Sequence, residues 1–505
     1  MTEDQLFIGI DSGTQGTKTI VFSRERGTVL AEAISPHFII ENNEGRREQE
    51  PEWWIKACTD TIQKVLIHPE VSRQQVKAIG ISGQQHGLVP LDGNGNVIRP
   101  AKLWCDTETS LQCNEITEKI GGTDRVIECI GNTVAAGFTA SKILWLKQQE
   151  PENYDRLSTA LLPHDYINFW LTDERKTEFG DASGTAYFDV KTRTWSRAVL
   201  EAIDDSGKLE ACLPELIASD APVGKIQPEM AQLFQLPMDV LVSSGGGDNM
   251  MAAIGTGNVQ PGVVTTSLGT SGTIYAYADQ PIVDPKGELA AFCSSSGGWL
   301  PLVCTMNVTV STELTRGLLG LGVEHLNAMA SSAPAGSEGV LLIPYFNGER
   351  TPPLPNAKAS FFGLTSTNYT PENLCRASME GATLGLRYGL DVLKAQGIEP
   401  EEVRLVGGGA KSGLWQEMVA NIFECPVICP LYPEAGAMGA ALQAMWCYIG
   451  EKEGGVSLKE LTERFISLDE STRTAPNEGN VALYKEVYER YLRLNEVMKP
   501  LFQEC

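Results

Sequence analysis

Apolar residues along the chain fall into short runs that end in glycines, hydroxyls and acidic residues, the pattern of buried strands closed by tight turns. Leu6 to Ile10 is the first run; Asp11-Ser12-Gly13-Thr14-Gln15-Gly16-Thr17 follows it, and Lys18 to Ser23 continues as a second strand. This predicts a hairpin with a tip rich in glycine and hydroxyls. Val263 to Ser267, then Leu268-Gly269-Thr270-Ser271-Gly272-Thr273, then Ile274 to Tyr277 repeat the design. Both tips read Gly-Thr-x-Gly-Thr and lie 256 residues apart in a chain of 505. A spacing near half the length points to two related halves, each opening on a phosphate-type loop. The boundary is placed on the repeat alone, giving residues 1–250 and 251–505.

Elsewhere strand and helix periods alternate. Strands are predicted over Val76 to Ser82, Leu88 to Leu91, Val340 to Ile343 and Val403 to Val406. Helices are predicted over Pro51 to Ile67, Thr139 to Gln149, Pro371 to Ala395 and Gly413 to Phe423, with a surface helix over Asn480 to Leu501. The mixture is that of an α/β architecture. The length allows two large domains or about three smaller ones, each able to bury its own core.

Composition narrows the function classes. Hydrophobic residues at 42% and charged residues at 21% are those of a soluble globular chain. No apolar run approaches the roughly 20 residues of a membrane-spanning helix. The first residues, Met1-Thr2-Glu3-Asp4-Gln5, are acidic where a secretory signal is basic, which places the chain in the cytoplasm. A net charge of −24 repels nucleic acid and anionic membranes. It leaves room for a small phosphate ligand held by backbone amides and a divalent cation. The twelve cysteines are scattered and read as reduced thiols.

Asp11 ends an apolar strand directly before the first loop, so a carboxylate stands beside amides able to wrap phosphate oxygens; a local Asx turn is the alternative. Lys18 either neutralises phosphate or is solvated. Asp248 follows Ser243-Ser244-Gly245-Gly246-Gly247 and precedes the apolar Met250-Met251-Ala252-Ala253. It is either a helix N-cap or a general base in a glycine-lined pocket. His86, in Ser82-Gly83-Gln84-Gln85-His86-Gly87, emerges at the end of a buried strand and is either structural or in contact with substrate. Gly407-Gly408-Gly409-Ala410-Lys411-Ser412-Gly413 either cradles a base or phosphate or is a tight strand-helix turn. Neither Gly-Thr loop fits the P-loop or the Rossmann template. Base, metal-held phosphate and in-line acceptor are the parts of phosphoryl transfer, and Asp248, Asp11 and the two loops supply them.

Taken together these residues resemble the FGGY carbohydrate kinases. Gly137-Phe138-Thr139-Ala140-Ser141-Lys142-Ile143-Leu144-Trp145-Leu146-Lys147-Gln148-Gln149 is similar to one diagnostic segment of that family. Ala359-Ser360-Phe361-Phe362-Gly363-Leu364 through Ala377-Ser378-Met379-Glu380 is similar to the other. Gln49 to Trp54, Leu103 to Asp106, Leu162 to Tyr166, Asp181 to Thr185 and Gly348 to Pro352 also resemble it.

The resemblance implies two lobes of the actin-like ATPase type, each with a ribonuclease H-like core, around a central cleft. It implies Asp248 as the base that takes the sugar's proton, and Asp11 together with Asp248 at Mg2+. ATP phosphates would lie on Gly13, Thr14, Gln15, Lys18, Gly269, Thr270 and Ser271, and the adenosine on Gly408, Gly409 and Ala410. The ketose would meet Gln85, His86, Trp104, Asp106, Asp248 and Asn249. Gln85 stands where the ketose-binding segment of these relatives has Met. The implied reaction is ATP-dependent phosphorylation of D-xylulose at its terminal hydroxyl. Ribulose, a pentitol or a hexose as acceptor, and a non-catalytic sugar-binding module, are the alternatives. A homodimer is the assembly such relatives suggest.

Overall fold

A computed structural model of the chain describes residues 4–503. Met1 to Glu3, where the acidic amino-terminal reading begins, and Cys505 lie outside the described residues. The chain forms two compact units. One runs to Gln260 and takes in Ala278–Leu300 and Glu434–Ile466; the other holds Pro261–Tyr277, Pro301–Pro433 and the segment from Ser467. The division placed at 250/251 thus falls within the first unit, which the chain later re-enters twice.

The first unit is built on a mixed sheet. β1 (Leu6–Ser12) pairs antiparallel with β2 (Gly16–Ser23), and β2 with β3 (Thr28–Pro36). On the other side β1 is parallel to β4 (Val76–Gly83). Beyond β4, β5 (Pro222–Lys225) forms the sheet edge, antiparallel to β6 (Leu241–Ser243), which is parallel to β4. Alternation along β1 sorts its side chains. Leu6, Ile8 and Ile10 enter a core with Trp54, Cys58 and Ile62 of the helix Pro51–Leu66. Phe7 meets Tyr448, and Gly9 and Asp11 share its face, under the helix Ala435–Lys452. That helix lies so close that a Cβ added at Gly9 would sit 2.0 Å from the Ala437 carbonyl oxygen, and one at Gly80 2.0 Å from that of Ala440. Only glycine permits such an approach.

The second unit repeats the plan. β7 (Val263–Leu268) pairs antiparallel with β8 (Gly272–Ala276), and β8 with β9 (Trp299–Thr305). β7 is parallel to β10 (Glu402–Val406), β10 to β11 (Val427–Pro430), and β11 is antiparallel to β12 (Leu468–Thr474). Read outward from either hairpin, the order of parallel and antiparallel neighbours is the same over six strands, so the two sheets repeat one plan, although the edge strand precedes its neighbour in the chain in the first sheet and follows it in the second. The helix Pro371–Ala395 is buried along most of its length. Its Arg376 is satisfied by Glu380 at 2.8 Å and by the carbonyls of Ala330 and Ala333. Among the described residues no helix is long and apolar enough to cross a membrane.

The predicted helices Thr139–Gln149, Pro371–Ala395 and Gly413–Phe423 form over those spans. The Gly407–Gly413 stretch is the tight strand-helix turn, one of its two readings. Gly408–Lys411 makes a separate 3₁₀ turn, and the helix that follows is capped by Ser412, whose hydroxyl accepts from the Trp415 amide.

Candidate functional site

In the first hairpin the strands run on through Ser12 and resume at Gly16, so the tip shrinks to Gly13-Thr14-Gln15, closed by the Gly13 amide donating to the Gly16 carbonyl at 3.0 Å. Side chains from elsewhere hold this tip. The His37 ring bridges the Gly13 carbonyl at 3.0 Å and the Thr17 hydroxyl at 2.9 Å. The Gln49 amide donates to the Thr14 carbonyl at 2.8 Å, and the Thr14 hydroxyl donates to Gln84 at 3.1 Å. Trp104, expected at the sugar, donates its indole N–H to the Thr14 hydroxyl at 2.9 Å and so braces the same loop.

Asp11 is not in an Asx turn. It sits within β1, opposite Lys18, and accepts from the Ser82 hydroxyl at 2.6 Å. Burial pushes its carboxyl up to about 6 against the pull of that bond. Lys18 is paired with Glu434 at 2.9 Å, so its charge is already answered by a carboxylate.

Asp248 opens the helix Asp248–Gly255 without capping it: Gly247 holds the N-cap position. Its Oδ1 accepts from the Asn249 amide at 2.8 Å and from Asn249 Nδ2 at 3.0 Å. The same Nδ2 donates to Gln85 Oε1 at 2.6 Å. Gln85, Asn249 and Asp248 thereby form one hydrogen-bonded chain. Gly247 is required here, because a Cβ would lie 2.6 Å from Gln85 Cγ. Burial, and next the charge of Asp11, push the Asp248 carboxyl up to about 7. Asp11, itself raised by burial and by Glu434, adds its charge to that of Asp248, and a divalent cation fits a site where two such carboxyls meet.

His86 is held at φ 62°, a left-handed conformation uncommon for histidine, with its ring between Phe138 and Phe292 at 5.0 and 5.2 Å. Its Nδ1 lies 3.2 Å from Asp181. Behind it, His164 stands 2.9 Å from both Asp165 and Asp181, all three fully buried. Carboxylates on both sides hold the His164 imidazole well above its ordinary range in spite of burial. No motif rule assigns a role to this group, although Leu162 to Tyr166 and Asp181 to Thr185 mark its two segments.

Asp106 does not stand free for a ligand. It is fully buried, with Oδ1 accepting from the Glu108 amide and Oδ2 from the Arg47 amide and from Lys102 Nζ at 3.2 Å. Lys102 also pairs with Glu48 and Glu108. These three carboxylates could converge on a metal, but the ammonium already fills their centre. Asp106 and Glu108 lie in the same stretch as Lys102, and only Glu48 comes from another segment, so it is packing that closes the cluster.

In the second unit, Gly269 and Thr270 offer their carbonyls to the amides of Thr309 and Val308 at 2.9 and 3.1 Å, which anchors the tip. The turn at Gly407 backs directly onto it. Gly407 has φ 89°, and a Cβ there would lie 2.9 Å from the Leu268 carbonyl. Gly408 is exposed, while Gly409 and Ala410 are buried, the Ala410 carbonyl accepting from Gln416 at 2.8 Å. The second loop and the Gly408 turn therefore share one edge.

The chain matches models of the FGGY family of carbohydrate kinases, the N-terminal domain over residues 6–255 and the C-terminal domain over 264–448. It is 48% identical over 491 residues to a xylulose kinase of Haemophilus influenzae, covering 96% of this chain and 99% of that protein. It is 36% identical over 500 residues to a xylulose kinase of Escherichia coli, covering 98% of this chain and all of the other. The crystal structure of a xyloylose kinase from Brucella ovis superposes with a TM-score of 0.91 at 29% identity, covering 98% of this chain and 100% of that one. The chain therefore belongs to the FGGY family of carbohydrate kinases.

Proposed function

We propose that this kinase transfers the γ-phosphoryl group of ATP to the terminal hydroxyl of D-xylulose, yielding D-xylulose 5-phosphate and ADP. The acceptor is the sugar named for the Haemophilus influenzae and Escherichia coli relatives. The observation that carries the mechanism is the chain Gln85–Asn249–Asp248. Both hydrogen bonds from Asn249 fall on Asp248 Oδ1, which directs Oδ2 toward the acceptor hydroxyl. Asp248 takes the proton as the hydroxyl oxygen attacks phosphorus and the bond to the ADP oxygen breaks. Gln85, fixed by Asn249, offers a polar edge to the ketose beside the ordered His86 ring.

The loops at Gly13 to Gln15 and Gly269 to Ser271 receive phosphate oxygens on backbone amides, and Gly408 to Ala410 lines the adenosine. Asp11 and Asp248 would hold Mg2+, which when bound offsets the charge of the phosphates. In this reading residues 1–250 carry the sugar and the first loop, and residues 251–505 the second loop and the adenosine turn. Trp104 and Asp106 act one step back, through Thr14 and through the Lys102 ion pairs.

ADP release measured with MgATP and, separately, D-xylulose, D-ribulose, xylitol, L-xylulose and glycerol tests the acceptor. D-xylulose gives the highest kcat/KM. A higher value for any other acceptor overturns the assignment of the sugar, and release with none of them overturns the reaction. The pH profile follows from the same carboxyl. A base must be ionised to work, so kcat/KM rises with pH to a plateau, its midpoint lying highest, towards about 7, at limiting Mg2+ and falling as Mg2+ beside the carboxyl favours its ionised form. A midpoint that does not move with Mg2+ concentration would exclude Asp248 as both the base and a group at the cation.

A further inference from the structure

The loop that delivers Asp248 is held from outside itself: Gly246 and Gly247 pair in parallel with Ser82 and Gly83 of β4, and Asn168 Nδ2 donates to the Ser244 carbonyl at 2.9 Å. Gly245, Gly246 and Gly247 carry no side chains, and Gly245 lies at φ 71°. Free glycine backbone samples more conformations than any other, so a fixed placement of Asp248 needs an anchor from outside the loop. Gln443, fully buried in the helix Ala435–Lys452, supplies one. Its Oε1 accepts from the Ser243 hydroxyl at 3.0 Å and the Gly245 amide at 2.9 Å. Its Nε2 donates to the Ser244 hydroxyl at 3.0 Å and the Gly245 carbonyl at 2.9 Å. Two acceptor positions and two N–H groups are all that a carboxamide has, and all four are used on this one loop.

The helix that carries Gln443 is itself seated backbone to backbone. A Cβ at Gly439 would lie 1.8 Å from the Met251 carbonyl oxygen, in the helix that Asp248 opens, and one at Gly255 would lie 1.9 Å from that of Ala435. No flexible side chain separates the parts, so the amide is presented from a rigid frame.

We infer that Gln443 is a positioning residue for phosphoryl transfer: it fixes the Ser243–Gly245 backbone and, together with the sheet pairing of Gly246 and Gly247, the distance from the Asp248 carboxylate to the acceptor hydroxyl. The inference rests on Asp248 being the base. Gln443 lies behind the loop, and the ketose meets Gln85 and His86 on a different segment. A loosened loop therefore raises the barrier to transfer without weakening sugar binding. An error of about 1 Å in such a placement can cost about a hundredfold in rate.

Gln443→Leu removes all four bonds at similar volume. The expected result is a kcat about 30-fold lower, with KM for ketose and for ATP within about threefold, and faster amide exchange over residues 243–250. Gln443→Glu keeps the acceptor oxygens facing Ser243 and the Gly245 amide and falls between the two. A kcat within threefold of the parent, or a raised KM at unchanged kcat, overturns the inference. Where Gln443→Leu does not fold, the double variant Ser243→Ala, Ser244→Ala leaves the glutamine in place and removes its two hydroxyl partners. A lower kcat at constant KM then supports the inference, and an unchanged kcat overturns it. The split is read on whichever sugar the parent uses. A parent that phosphorylates none has failed the proposed function, and amide exchange over 243–250 alone then decides whether Gln443 holds the loop.

Discussion

Asp248→Asn lowers kcat for D-xylulose about a thousandfold while KM for the ketose stays within about threefold, since loss of a general base costs about 10²–10⁴ in rate. The substitution is nearly isosteric. The new carboxamide oxygen still accepts from the Asn249 amide, so the helix start and the link to Gln85 persist, and what is lost is the basic oxygen. The same change carries a stability signature of opposite sign. Burial and the nearby Asp11 charge raise the folded-state carboxyl to about 7, above its value of 3.8 in an unfolded chain. Between those two values the folded protein holds a proton that the unfolded chain has released, so raising the pH destabilises the fold, and the cost is complete above about 7. Asp248→Asn removes that cost. Its melting temperature exceeds the parent's at pH 8, and the gap closes toward pH 4. A variant that keeps kcat within tenfold excludes the base role; one that melts below the parent at pH 8 excludes the desolvated carboxyl.

Much of this was legible because both hairpins are local. The alternation of Leu6, Ile8 and Ile10, the shared Gly-Thr-x-Gly-Thr tips and the glycine run before Asp248 lie within short stretches, where period and turn chemistry report directly on structure. What escaped is what packing assembles from distant segments. Asp106 reads as a polar residue in a candidate binding passage, yet Lys102, four residues before it, takes up its carboxylate only because Glu48 arrives from another segment to complete the cluster. His37 buttresses the first loop from the far end of β3, and Gln443 holds the Asp248 loop from about 200 residues away. Lys18 faces Asp11 across the hairpin as its position suggests, but Glu434 arrives from the helix Ala435–Lys452 to pair with it. A signal for that helix does exist in the chain. Ala435-Gly436-Ala437-Met438-Gly439-Ala440-Ala441 is a run of small residues, the composition that lets a helix touch neighbouring backbone. Its targets, Gly9 and Gly80, sit in strands where a glycine otherwise weakens the element.

Gly436→Ala separates fold from function at the other carboxylate. Gly436 lies in the first turn of that helix with no unusual backbone angle, so alanine suits the conformation and favours the helix by about 1 kcal/mol on propensity alone. The added Cβ, however, would sit 2.7 Å from Asp11 Cγ and from one of its carboxylate oxygens. Backbone contacts such as that at Gly9 hold the helix in place, so the part that can yield is the Asp11 side chain. Turning it aside breaks the 2.6 Å bond from Ser82 and moves the carboxylate proposed to hold Mg2+. The metal-free protein therefore melts at or above the parent's temperature, while kcat falls about a hundredfold, the cost of about 1 Å of misplacement, and the Mg2+ concentration for half-maximal rate rises. Ser82→Ala leaves Gly436 untouched, frees the Asp11 carboxylate in a milder way, and shifts the Mg2+ requirement in the same direction by less. Unchanged kcat and Mg2+ dependence in a well-folded Gly436→Ala protein would mean that the carboxylate tolerates displacement, and Asp11 would lose its place as the ligand that must be held still.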